Sequence, residues 1–232
     1  MKPTIDIATY IGILGLTAAM SISWTFRMSQ HSQRLGFIAG ICFAAIGVLS
    51  GLASYFGLFL DAFAHPPLFV VFVIPLFLGF IGFALSRHGL ALTRHLDWKV
   101  LVGLQMFRLP LELLMLRATL VGIMPREFSM LGYNFDVLSG VFSILLFIYL
   151  LKTEKPSMRF IWIWNIFGMT CLLAIGILAV LTSPTVHAFG AAPEHINTWV
   201  LYFPYTYLPV LLVNFAIMGH VLATRKLLDH SL

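Results

Sequence analysis

The sequence predicts an all-α integral membrane bundle of seven transmembrane helices, with the N-terminus outside and the C-terminus in the cytoplasm. Three observations carry this expectation. The 232 residues are 60% hydrophobic and only 10% charged, with a mean hydropathy of +0.96, which leaves too little polar surface to cover a water-soluble globule. Apolar runs recur along the whole chain, each close to the roughly 20 helical residues that cross a bilayer core. The positive residues, finally, alternate between the ends of those runs in a strongly one-sided way.

The runs fall at about residues 5–26, 35–60, 67–86, 100–124, 136–151, 159–182 and 198–224, within one domain spanning residues 1–232. The first resembles a signal peptide in its hydrophobicity, but Lys2 is the lone basic residue ahead of it while Arg27 and Arg34 follow directly, the flank pattern of a retained helix. In the second run Gly36, Gly40, Gly47, Gly51 and Gly57 place small residues at helical spacing, a face on which a neighbouring backbone can pack closely.

Orientation follows from the fourteen Lys and Arg residues, because positive charge is retained in cytoplasmic loops. Alternating the ends puts Arg27, Arg34, Arg87, Arg94, Lys99, Lys152, Lys155, Arg159, Arg225 and Lys226 on one side and only Lys2 and Arg126 on the other, with Arg108 and Arg117 inside the fourth run. Trp24, Trp98, Trp162 and Trp164 lie near the predicted inner ends, and Tyr55, Tyr133, Trp199, Tyr202 and Tyr205 near the outer ones, as interfacial belts require.

Several chemistries lack their parts. The net charge of +5 is spread over short loops and forms no basic stripe for nucleic acid. Cys42 and Cys171 lie inside apolar runs without redox or zinc spacing. No lysine is deep in a run for a retinal Schiff base, and His220 is the single histidine near a run interior, where bis-His haem needs two. Protease, hydrolase and nucleotide-binding motifs are missing, and no cofactor is predicted. An outer metal site draws on Asp61, His65, His187, Glu194 and His195, which share the predicted outer loops and have the carboxylate and imidazole groups that suit zinc or copper. Their spacing matches no fixed motif.

The fourth run is the one that lipid solvation does not explain. A charge at bilayer depth costs at least a few kcal/mol unless it is paired or wetted, yet Gln105, Arg108 and Glu112 fall within about 60° of one another on a helix. On one straight helix, Arg108 lies about 14 Å and Glu112 about 20 Å beyond Lys99. The two are four residues apart and can pair within the helix, while Pro110 between them frees a backbone carbonyl. Asn165 and Asn214 lie at similar depth in the last two runs, so the five residues are expected to outline a polar cavity in the inner half. Arg117 lies on the opposite flank and is expected to anchor structurally, towards the outer interface or towards Glu127 and Asp136, and Asn134 or Asp136 to N-cap the fifth helix.

Gln105-Met-Phe-Arg108-Leu-Pro110-Leu-Glu112 and Gly132-Tyr-Asn134-Phe-Asp136-Val-Leu-Ser-Gly140, with Tyr202-Phe-Pro204 and Leu208-Pro209, resemble an uncharacterised family of small bacterial polytopic membrane proteins over about the C-terminal half. The resemblance implies a bacterial inner membrane and draws attention to Gln105, Arg108, Glu112, Asn134 and Asp136. It implies no reaction, and Asn214 departs from its pattern.

The function expected from these residues is binding or transport of a small solute or proton, centred on Arg108 and Glu112 with Gln105, Asn165 and Asn214 around them. A membrane-embedded enzyme acting on a lipid or isoprenoid and an accessory subunit without its own site are the alternatives. The lipid bilayer is the expected partner, nucleic acid is not, and a homo-oligomer or a partner subunit is compatible with the sequence.

Overall fold

A computed structural model of the chain describes residues 5–60 and 67–229. Among these residues the fold is all helical. The helices are α1 (Ile7–His31), α2 (Gln33–Tyr55), α3 (Leu68–Leu85), α4 (Arg87–His95), α5 (Trp98–Gly103), α6 (Arg108–Leu120), α7 (Asp136–Lys152), α8 (Met158–Leu181) and α9 (Val213–Asp229). A π-helical turn, Leu208–Leu212, leads into α9.

Side chains start several of these helices in the usual way, an oxygen accepting from an amide of the first turn. Asp6 accepts from Thr9 N at 3.0 Å and Ser86 from Gly89 N at 3.2 Å. Ser32, at 3.4 Å from Leu35 N, is the single residue between α1 and α2. A hairpin this tight needs close approach, and Gly36 supplies it, since a Cβ there would overlap Ser29.

Among the described residues five helices are long and apolar enough to cross a membrane: Ile7–His31, Gln33–Tyr55, Leu68–Leu85, Met158–Leu181 and Leu208–Asp229. Their outward residues are apolar, as with Leu78 and Leu173, each 65% exposed, while Arg108, Glu112, Asn165 and His220 are buried. That inversion of ordinary globular packing is what a lipid solvent selects, and it makes this a membrane protein. The last helix is the hub: about two thirds of its most apolar stretch is buried, against a third or less in the other four. Phe215 on α9 meets Phe43 of α2 at 5.0 Å and Phe80 of α3 at 5.7 Å between ring centroids.

The fourth run is not the single helix expected from its sequence. It breaks into α5 and α6 at residues 104–107. Pro110 has no N–H to give the Met106 carbonyl, and Leu109 N takes that acceptor at 3.2 Å instead. Gln105 N bonds to Val102 O, Met106 N to Gly103 O and Arg108 N to Gln105 O in the same tight i to i+3 pattern. Pro110 therefore sits in the first turn of α6, where its missing donor does no harm.

The segment after α6 also departs from a simple span. Between Leu120 and Asp136 the chain turns back into the bundle, with Ser129 and Asn134 buried and one 3-10 turn at Arg126–Phe128. Irregular backbone of this kind survives at membrane depth only when protein covers it. The last run also differs from its expected limits: residues 198–206 are irregular or 3-10, and the helix continues to Asp229. Asn214 explains part of its geometry by donating to the Pro209 and Val210 carbonyls, each at 2.9 Å, in the wide turn that proline creates.

Basic residues tie one end of the bundle together. Arg225 donates to the Ala84 and Ser86 carbonyls at 2.6 Å each, satisfying the C-terminal end of α3. Lys226 donates to Thr93 O at 3.1 Å, Arg94 pairs with Asp229 at 2.9 Å, and the rings of His31 and His95 lie 5.3 Å apart.

At the other end Arg117 does not reach Glu127 or Asp136. It pairs with Asp6, with Nε and Nη2 each 2.8 Å from a carboxylate oxygen, because α6 packs beside α1. The Arg117 guanidinium, helped by the Thr9 amide, holds the Asp6 carboxyl well below the usual carboxylate range. A lowered folded-state value means that the contribution is present above the carboxylate's unfolded value and is lost as pH falls through the folded one. Asp6→Asn at neutral pH, or strong acidification of the wild type, should therefore speed amide exchange at residues 7–11 and leave α9 unchanged. Equal exchange in both proteins would show that the pair does not hold the first turn.

Candidate functional site

The break at Pro110 decides where the polar residues go. With α6 beginning at Arg108, the guanidinium leaves the helix start and points at the beginning of α7. There Asp136 accepts from Nε at 2.8 Å and, through its other oxygen, from Nη2. The pair is therefore bidentate, the geometry in which arginine and carboxylate bind most strongly, and both side chains are almost wholly buried. Nη2 also donates to the Gly168 carbonyl on α8 at 3.3 Å.

This pairing corrects the expected bond between Arg108 and Glu112. Among the described residues the ion pairs join Arg94 to Asp229, Arg108 to Asp136, Arg117 to Asp6 and His195 to Glu127. Glu112, one turn above Arg108, has a neutral partner. Asn134 Nδ2 lies 3.0 and 2.9 Å from its two oxygens and also 2.8 Å from the Phe128 carbonyl. The expected N-cap is corrected as well. Phe135 occupies that position without a side-chain bond. Asn134 Oδ1 instead accepts from the Asp136 amide at 2.9 Å, while the Asp136 carboxylate is committed to Arg108.

On its remaining side the guanidinium meets a histidine. Arg108 Nη1 is 2.9 Å from His220 Nε2, and a guanidinium can only donate, so Nε2 accepts and the proton sits on Nδ1. His220 Nδ1 then donates to Asn165 Oδ1 at 2.9 Å. The Asn165 amide nitrogen donates to Thr224 Oγ1 at 2.7 Å, and that hydroxyl donates to the His220 carbonyl at 3.0 Å. Each link has the right polarity, giving a directed network from α6 and α7 through α9 to α8. The Trp164 ring covers His220 with centroids 4.9 Å apart, and its own Nε1 donates to Ser143 Oγ at 2.9 Å.

Depth follows from the helices that meet the cluster. Gly168 lies ten residues into α8 and His220 nine residues before the end of α9, which at 1.5 Å per residue is about 15 and 14 Å from the same end of the bundle. The space is made by absent side chains: a Cβ on Gly168 would overlap the His220 ring, and one on Gly219 would overlap the Gln105 amide.

Arg108, Glu112, Asn134, Asp136 and Asn165 therefore come together. Gln105 stands one step aside, its Nε2 3.4 Å from the Ala216 carbonyl, and Asn214 is bonded to its own helix. His220, Thr224 and Gly168 belong to the cluster although the sequence reading left them out. His220 had one available signal, as the single histidine inside an apolar run. Of the outer metal candidates, Asp61 and His65 lie outside the described residues. His187 and Glu194 are exposed, and His195 Nδ1 is 2.6 Å from Glu127. Among the described residues no three His, Cys, Asp or Glu side chains converge as metal ligands.

A family model described as a domain of unknown function, DUF8737, matches residues 65–228, which include the whole cluster. No curated protein and no solved structure matches the chain.

Removing one partner of a buried ion pair leaves the other charge uncompensated, at a cost of about 3–5 kcal/mol, whereas replacing both by apolar groups is often neutral. Asp136→Ala should accordingly destabilise the protein by about 3–5 kcal/mol in a reversible detergent-unfolding assay, and the Arg108→Leu/Asp136→Leu double variant by much less. A loss in the double variant equal to the sum of the losses in Arg108→Leu and Asp136→Leu alone would mean that the pair is not coupled.

Proposed function

The chain belongs to the DUF8737 family, and we propose that this member binds a proton at Glu112 and uses that site to carry a small solute across the membrane. One observation supports the reading most directly. Two carboxylates, Glu112 and Asp136, are buried around one guanidinium, and the imidazole beside them is the neutral Nδ1–H tautomer by its hydrogen bonds. Arg108 is matched by Asp136, so Glu112 is the surplus. A lone negative charge at this depth is costly enough that a proton or a monovalent cation accompanies it. Exchange of that companion is the elementary step of proton-coupled carriage.

Asp136 and Arg108 hold the frame of the site, and Asn134 positions Glu112. His220, Asn165 and Thr224 fix the remaining face of the guanidinium. The orientation that goes with this reading places Lys2 outside and the C-terminal basic residues in the cytoplasm, in a bacterial inner membrane. It is supported by the meeting of α3, α4 and α9 around Arg225, Lys226 and Arg94 at one end. In that topology α5 with α6, and α7 with the inward-turning segment, complete two further crossings and give seven.

A second reading is favoured by the closure of the cluster, since Arg108 and Glu112 are each 1% exposed. A sealed, fully paired network is also how an accessory subunit would lock its helices. The two readings differ in titration. Purified wild-type protein in nanodiscs should take up about one more proton per chain than Glu112→Gln between alkaline and mildly acidic pH, and Glu112→Gln should abolish proton-coupled flux in liposomes. Identical titration curves, with only thermal stability lowered in the variant, would establish the scaffold instead.

A further inference from the structure

We propose that the loop 182–197 is a pH-sensitive latch, in which protonated His195 grips Glu127 and so keeps Asn134 seated on the Glu112 carboxylate. The latch regulates the proton site described above, and its consequence for Glu112 rests on that reading. In the orientation given there it lies at the outer end of the bundle.

The loop is closed at its base, where the Asn197 amide donates to the Thr182 carbonyl at 2.8 Å and the Ala188 amide to the Leu181 carbonyl at the same distance. Compact loops of this length with their ends joined behave as units. Gly190, at a φ of +118°, turns the chain between Phe189 and the 3-10 turn Pro193–His195. Two side chains of the loop then meet the inward-turning segment. Phe189 stacks on Tyr133 with centroids 5.5 Å apart, and His195 Nδ1 lies 2.6 Å from Glu127 Oε1.

Glu127 is tied through the backbone to the residue that holds Glu112. Its carbonyl accepts from the Tyr133 amide at 3.0 Å, and the Ser129 carbonyl accepts from the Gly132 and Asn134 amides at 2.9 and 3.3 Å. Gly132 permits this folding-back, since a Cβ there would overlap the Arg126 carbonyl and Glu127 Cα. Asn134 Nδ2 then donates to the Phe128 carbonyl and to both oxygens of Glu112. A continuous set of hydrogen bonds therefore leads from a partly exposed imidazole to the buried carboxylate.

Charge makes the contact sensitive to pH. The His195 side chain is 38% exposed and that of Glu127 only 10%, and Glu127 Oε2 is buried without a partner among the described residues. The other titratable or charged groups on the segments packed here are Arg126, Tyr133, His187, Glu194 and, on α8, Cys171; Arg126 donates to the Leu131 carbonyl instead. His195 is thus the cation available to Glu127. A carboxylate only accepts, so Nδ1 carries a hydrogen in either charge state. A second proton on the ring turns a hydrogen bond into an ion pair roughly twice as strong, and histidine gains that proton between about pH 8 and pH 5. Since the closed form binds the proton better, falling pH closes the latch and rising pH releases it. Acid on this side then seals the approach to Glu112, which opposes proton leak.

Amide exchange on the full chain in nanodiscs, corrected for the intrinsic pH dependence of amides, tests the latch directly. In the wild type, exchange at residues 132–134 should be about five- to tenfold slower at about pH 5.5 than at about pH 8. His195→Gln, which can hydrogen-bond but never charges, should exchange fast at both. His195→Lys, charged throughout, should exchange slowly at both. Absence of a pH effect in the wild type, or its persistence in His195→Gln, would overturn the proposal. Proton uptake assigned to Glu112 should also be at least about threefold slower in His195→Lys than in His195→Gln; equal rates would overturn the link to that site. Glu112→Gln separates the two readings. If it titrates like the wild type while the pH effect at 132–134 remains, the latch stands without the proton site; if the titrations differ and the pH effect is missing, the proton site stands without the latch.

Discussion

The bidentate contact between Arg108 and Asp136 is the constraint to which the rest of this bundle answers. Buried charges must find partners with satisfied donors and acceptors, and here one guanidinium recruits a partner from each of three other helices: the Asp136 carboxylate at the start of α7, the Gly168 carbonyl of α8 and the His220 ring of α9. The beginning of α7 inside the bundle follows from the need to bring Asp136 to that level. The chain between α6 and α7 must then come inward, and Asn134, held by its bonds to Glu112 and the Asp136 amide, is what seats it.

Much of the fold was legible because lipid solvation writes itself into composition. The runs at 5–26, 67–86 and 159–182 correspond to α1, α3 and α8 within a few residues, except that α1 continues one further turn to His31. The fourth run was not legible as α5 and α6, since hydropathy is indifferent to one backbone donor and Pro110 acts through just that. The short α4 was unanticipated for the opposite reason: Arg87–His95 is too polar to register as a span, and its helix is held by the Ser86 cap and by Lys226 from α9.

For the cluster, sequence periodicity placed Arg108 and Glu112 on one helix face and predicted the wrong bond between them. Arg108 and Glu112 are correctly spaced for an intrahelical pair, but such a pair contributes only about 0.2–0.5 kcal/mol at a helix surface, and the tighter bidentate geometry with Asp136 outcompetes it. That choice depends on how α6 and α7 meet, which no spacing within a single helix encodes. Asn165 was recognisable as a polar group at depth, whereas Thr224 was not, because threonine is common in helices that bury nothing polar. Gln105 and Asn214 mark the limit of counting polar residues: the first bonds a carbonyl of α9, and the second satisfies carbonyls released by the π-helical turn around Pro209.

The two glycines that make room for the cluster carry a mechanical consequence. A pocket shaped by a flexible side chain can open by a rotamer change in nanoseconds. The space at Gly168 is bounded by the His220 ring and the Arg108 guanidinium, each held in several hydrogen bonds, and that at Gly219 by the Gln105 amide and the Trp24 ring, so freeing the His220 side by one rotamer change would break several bonds at once. Enlarging it without that loss requires α8 to slide or tilt against α9 as a rigid body. The clock for access is then the slower collective motion of helices, and the rate of any traffic through the cluster is set by the packing along that one seam.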